Sequence, residues 1–189
     1  LGDLPGEASL VGTLGTVVAS AGHFESALVQ FQKAERMYEQ HGSAEQRQTC
    51  RVNICLALEK LDRVDEAFAI VDAMKAKDKM VPFTQHFVTV LEMKLHIRRE
   101  DWHTALALGD SVLAELEKLQ AWDRTISVHA YRAICNAALG QDPTPHLVKA
   151  KTMMTRLNLA EGSQEGILIA EATNRVNALQ QQATGDDTA

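Results

Sequence analysis

Apolar and small residues recur along this chain at intervals of three and four. After Phe24 come Ala27, Phe31 and Ala34, and after Val64 come Ala67 and Val71. After Trp102 come Ala105 and Gly109. Residues at such offsets share one face of a helix, and no strand-length alternation competes with the pattern. The periodicity predicts helices over 7–20, 24–41, 44–61, 64–77, 83–99, 102–120, 124–139, 145–158 and 163–182. The breaks between them have local causes. Gly22 and Gly42 suit left-handed backbone after a helix. Ser43 with Gln46 three residues on reads as a capping box. Pro82 ends one segment and admits the next. Thr144-Pro145 reads as an N-cap followed by proline in the first turn. Gly162-Ser163 makes the last break, and 183–189 reads as a polar, disordered tail.

The helices pair, and the pairs repeat. Aligning "GHFESALVQF" (22–31), "DRVDEAFAIV" (62–71) and "EDWHTALALG" (100–109) superposes Ala27, Ala67 and Ala105, spaced 40 and then 38 apart. Twelve residues before each alanine lie Gly15, Cys55 and Met93. A weaker fourth copy puts Leu147 in the alanine's place, with Cys135 twelve before it. A small residue at a fixed point in the second helix of each pair lets two helix axes approach closely, and larger residues on either side fill the remaining space. A pair with apolar residues on more than one face cannot bury them alone, so neighbouring pairs must stack.

This pattern resembles the tetratricopeptide repeat (TPR). The segment "TLGTVVASAGHFESALVQFQKAERMY" (13–38) matches that signature at Leu14-Gly15, Val18, Gly22, Phe24, Ala27, Phe31 and Ala34; 53–74 is a good second copy and 101–108 a fair third. The repeats are longer than the usual TPR, as in kinesin-light-chain-like proteins, polarity scaffolds and bacterial regulators. The first copy also lacks the proline that commonly ends a repeat. The resemblance implies an all-α, right-handed α-solenoid of helix-turn-helix repeats with a C-terminal capping helix. The expected repeats are 7–42, 43–80, 81–120 and 121–160, the last weak, followed by the capping helix 161–182.

Composition narrows the function. The chain has 189 residues, 46% hydrophobic, 23% charged and only 5% aromatic, with four prolines, which suits helices better than sheets. A formal net charge of -6 does not favour nucleic acid as a partner. The charge-free run from Ala8 to Phe24 is too short and polar to span a membrane, so no membrane partner is expected. Cys50, Cys55 and Cys135 have no metal-site spacing and read as buried free thiols, consistent with a reducing, cytoplasmic compartment. A chain that opens on Leu reads as an excerpt or processed product of a larger protein.

The resemblance also implies a groove lined by the first helix of each pair. The offsets select Ser9, Gly12, Thr16 and Ala19, then Thr49, Val52, Leu56 and Glu59. In the third pair they select Phe87, Val90, Lys94, Ile97 and Arg98, and in the fourth His129, Arg132 and Asn136. Cations around an asparagine suit a carboxylate or a phosphate, the asparagine can bond a peptide backbone, and Phe87, Val90 and Ile97 offer apolar contact. The expected function is a non-catalytic interaction module, a scaffold, adaptor or regulatory segment, that binds an acidic peptide at the last eight of these residues. No cofactor or metal is expected. The alternatives are a homodimer, an autoinhibitory or sensory repeat domain of a bacterial regulator, and, least favoured, a small enzyme using a thiol or a metal at His96, Glu100 and His103. Met74, Met153 and Met154 read as core. Trp102 and Trp122 read as core beside turns, with an exposed anchor as the alternative for Trp122.

Overall fold

In the computed structural model, residues 4–77, 80 and 82–186 are described, and every described element is an α-helix. The helices are α1 (Leu4–Ser20), α2 (Phe24–His41), α3 (Ala44–Lys60), α4 (Val64–Lys77), α5 (Pro82–Arg98), α6 (Trp102–Lys118), α7 (Trp122–Ala138), α8 (Thr144–Arg156) and α9 (Gln164–Asp186). The chain divides into two compact units, residues 1–91 and 92–189, and the boundary falls inside α5. In the first unit α2 packs against α1 and α3, α3 against α4, and α1 touches α3. In the second, α7 packs against α6, α8 and α9, and α8 touches α9.

The recurring stripe supplies both cores. Ala27, Ala67 and Ala105 are each 0% exposed. Four, seven and eleven residues beyond Ala27 lie Phe31, Ala34 and Tyr38, all buried; beyond Ala105 lie Gly109, Val112 and Leu116, also buried. Close approach is visible at Gly15 of α1, where an added Cβ would stand 2.7 Å from the Phe31 ring. At Gly109 of α6 it would stand 3.0 Å from Met93 Cε of α5 and 3.3 Å from Arg132 Cγ of α7. In α8 the register differs from expectation. Leu147 is half-buried, and Ala150, one turn on, is the fully buried small residue, packed with Ile126 and Ile169. The connection before α8 is longer than those before α2, α4 and α6, which shifts the crossing point along the helix.

Six of the turns close in one way. Gly22, Asp62, Glu100, Gln120, Gly140 and Asn158 all have φ between 52° and 83°. In each case the following amide donates to the carbonyl five residues back, as in His23 to Val18 (3.1 Å), Arg63 to Leu58 (2.9 Å) and Gln141 to Asn136 (2.7 Å). This is the Schellman closure, which satisfies carbonyls left open at a helix end. Gly42, expected to be left-handed, is instead extended, with φ -111° and ψ 178°. It is glycine for another reason: a Cβ there would stand 2.8 Å from the Tyr38 backbone.

The other local signals resolve more simply. Ser43 and Gln46 form the reciprocal capping box, with Gln46 N donating to Ser43 Oγ at 3.2 Å and Ser43 N to Gln46 Oε1 at 3.1 Å. Pro145 lies in the first turn of α8, but the N-cap position falls on Pro143 rather than Thr144, and Asp142 just before it accepts from Thr144 N at 2.9 Å. Helix α9 runs on to Asp186, past its expected end at 182. Gln181, Gln182 and Ala183 are good helix formers and no proline stops propagation. Residues 187–189 of the expected tail, and residues 78, 79 and 81 at the junction of the second and third repeats, lie outside the described residues.

Candidate interaction surface

The eight expected site residues fall on α5 and α7. Phe87 and Val90 belong to the first unit and the other six to the second. Phe87, Val90 and Lys94 are half-buried and Arg98 is exposed. Ile97 and His129 depart from expectation: they are 3% and 1% exposed, so both are core. The cause at His129 is the crowding of α7, which packs against three helices and buries Thr125, Ile126, Val128, Ala130, Tyr131, Ala133, Ile134 and Cys135 as well. Val52 and Glu59 of α3 are buried for the same kind of reason.

Arg132 and Asn136 remain part-exposed, one turn apart on α7. Arg132 Nη1 pairs with Asp110 of α6 at 2.6 Å, and Asn136 Nδ2 donates to the Asp142 carbonyl at 3.4 Å. His129 Nδ1 lies 3.2 Å from Nδ1 of His146 on α8, with the rings stacked 5.5 Å apart. Lys149 of α8 reaches Glu117 of α6 at 3.1 Å. A polar seam thus joins α6, α7 and α8. Within it, burial above all, helped by the nearby Lys149, His146 and Arg132 charges, pushes His129 down to about 4. Burial and Arg132 also lower His146.

No protein-family model matches the chain, and no curated protein matches it. Among solved structures, the chain is similar to a Podosopora anserina protein described as a kinesin light chain with nearly identical TPR-like repeats. The TM-score is 0.64 at 15% identity, over 98% of this chain and 93% of that one. The chain has a TPR-like helical-repeat fold. A TPR-like fold accounts for the buried alanines and the stacked hairpins together.

All three cysteines are buried and free. Burial, with the Glu35 charge adding to it, pushes Cys50 up to about 11 and Cys55 to about 12, and burial pushes Cys135 to about 12. A thiol so shifted holds almost no thiolate at neutral pH, and the thiolate is the nucleophile. His96 is turned to Asp101, its Nδ1 3.0 Å from the carboxylate, and Asp101 also caps α6 through Thr104 N at 3.3 Å. His103 and Glu100 are exposed. Among the described residues no three His, Cys, Asp or Glu side chains come together as a metal site. No described helix is long and apolar enough to cross a membrane.

Two tryptophans separate in role. Trp102 is half-buried, and the Arg175 guanidinium of α9 lies 5.3 Å from its ring centroid, a cation–π contact between the capping helix and α6. Trp122, expected in the core, is 36% exposed at the start of α7. Met74 is fully buried as expected, while Met153 and Met154 only border a small cluster.

Proposed function

We propose that the chain is a non-catalytic protein-interaction module, a scaffold, adaptor or regulatory segment, that receives an acidic peptide on the first helices of its hairpins. The observation that best supports this is the part-exposed face of α7. Arg132 and Asn136 stand a turn apart there, each already held by a hydrogen bond. A guanidinium and an amide fixed in this way can meet a carboxylate and a peptide backbone with little further loss of rotamer freedom. Lys94 and Arg98, four residues apart on α5, add two cations. The buried free thiols suit a reducing, cytoplasmic setting.

Panning a random peptide library over the chain tests this. Enriched sequences are expected to carry Asp or Glu, and a Lys94→Glu/Arg98→Glu variant is expected to bind them at least tenfold more weakly with an unchanged melting curve. Enrichment of nothing, or of sequences indifferent to the double substitution, would remove the acidic-peptide reading.

One further feature favours self-association as a second reading. On α1, Leu10, Leu14 and Val17 are 73%, 49% and 61% exposed at helical spacing, in a stretch with no charged side chain from Ala8 to Phe24. In a chain of net charge -6, a neutral apolar face is where two copies meet with least repulsion. Sedimentation at rising concentration is expected to show a dimer that Leu10→Glu/Leu14→Glu returns to monomer. A wild-type chain monomeric at 100 µM, on the order of the highest useful working range for weak pairs, would exclude it.

A further inference from the structure

We propose a second, separate recognition site: a pocket between the start of α7 and the end of α8 that takes one bulky apolar side chain of a peptide whose neighbouring residue is acidic. The pocket is lined by Trp122, Met153, Arg156 and Leu157, and its volume is about 260 Å³. Trp122 and Leu157 are 36% and 38% exposed, so both offer apolar surface at one hollow. The volume is below the usual range for a drug-sized ligand or cofactor but ample for a single large side chain. Tryptophan gives a stiff contact surface and methionine an adaptable one, the combination that accepts apolar side chains of differing shape.

Charge decides what stands beside that side chain. Arg156, in the last turn of α8, is exposed on the pocket's edge, and no ion pair engages it among the described residues. Asp123, next to Trp122 in sequence, is turned to Arg124 at 3.5 Å. A guanidinium beside an apolar hollow selects a carboxylate next to the anchor, because the pair forms at a margin partly shielded from water. The Trp122 ring and the Arg156 fork thus read two adjacent residues of one extended peptide. This site shares no residue with the α5 and α7 surface of the preceding section. It deepens the interaction-module reading, yet the panning result and the result below can fail independently.

The test uses the full chain and nuclear magnetic resonance of the Trp122 indole N–H, assigned by its loss in Trp122→Phe. Three blocked tetrapeptides are the probes: phenylalanine followed by glutamate, phenylalanine followed by glutamine, and alanine followed by glutamate, each flanked by glycine. The first is expected to shift the indole resonance saturably, the second to bind at least fivefold more weakly, and the third to leave the resonance in place. In Arg156→Gln, an exposed position whose replacement leaves melting unchanged, the two phenylalanine peptides are expected to bind within twofold of each other. Absence of a saturable shift, equal binding of the first two peptides to the unaltered chain, or a glutamate preference that survives Arg156→Gln would each overturn the proposal.

Discussion

Replacing Phe31 with alanine is expected to lower the unfolding free energy by about 3–5 kcal/mol, the cost of deleting a buried aromatic ring and leaving its cavity. The same experiment carries a sharper expectation at Gly15. Glycine inside a helix costs about 0.5–1 kcal/mol relative to alanine, so Gly15→Ala should stabilise α1 wherever space permits. Beside Phe31 space does not permit it, since the new Cβ would lie 2.7 and 2.8 Å from two ring carbons. Overpacking of that kind costs about 1–3 kcal/mol. Gly15→Ala is therefore expected to destabilise the chain when residue 31 is phenylalanine and to stabilise the Phe31→Ala variant. Urea titrations of the four members of this cycle give the sign directly. A Gly15→Ala effect of the same sign and size in both backgrounds would mean that the ring does not rest on Gly15.

That pair also shows what could be read from residues alone. A small residue recurring at a fixed offset is informative because so few positions in a helix demand one, and the demand comes from a neighbouring helix. Hence Ala27, Ala67 and Ala105 located the crossings and the repeat. The fourth crossing was misplaced at Leu147 because the connection before α8 is longer, and turn length does not show in the helix's own periodicity. Gly42 was legible as glycine but not its reason: a close approach to Tyr38 and a left-handed turn leave the same letter.

The site was harder to read than the fold. Offsets along one helix show which residues share a face, but not how many other helices surround that face. His129 sits at the same offset as true surface residues, yet α7 is enclosed by α6, α8 and α9. One signal was present: between Thr125 and Cys135, Arg132 is the one side chain besides His129 that is charged or ionisable at neutral or mildly acidic pH. A helix so apolar all round is an interior helix. Trp122 misled in the opposite direction. A tryptophan after a turn usually fills core, and here it opens a pocket because the facing side chains, Met153 and Leu157, leave it half uncovered.

Acidification is expected to destabilise the chain through His129, with the effect confined to a definite window. The two Nδ1 atoms of His129 and His146 face each other at 3.2 Å, so one must donate and the other accept. His129 Nε2 is buried with no partner, and a buried lone pair costs less than a buried N–H, so His129 serves best as the Nδ1 donor. A further proton on the pair would either place that orphan N–H in the core or set N–H against N–H. Groups on all three helices of the seam bear on it: Arg132 on α7, Lys149 and His146 on α8, and Asp110 and Glu117 on α6. Folded His129 titrates at about 4, below the 6.5 of an unfolded histidine. Between those values the unfolded chain holds more protons, so stability is full above pH 6.5 and is lost as pH falls toward 4. One group shifted this far contributes on the order of 3 kcal/mol, and the lowering of His146 acts in the same direction. Denaturant titrations are expected to show this loss between pH 7.5 and 4.5, and His129→Leu, which removes the titrating group while keeping an apolar volume, is expected to flatten the slope. A His129 ring proton signal that titrates near 6.5 in the folded chain would show that the imidazole is open to water and that the seam does not hold it.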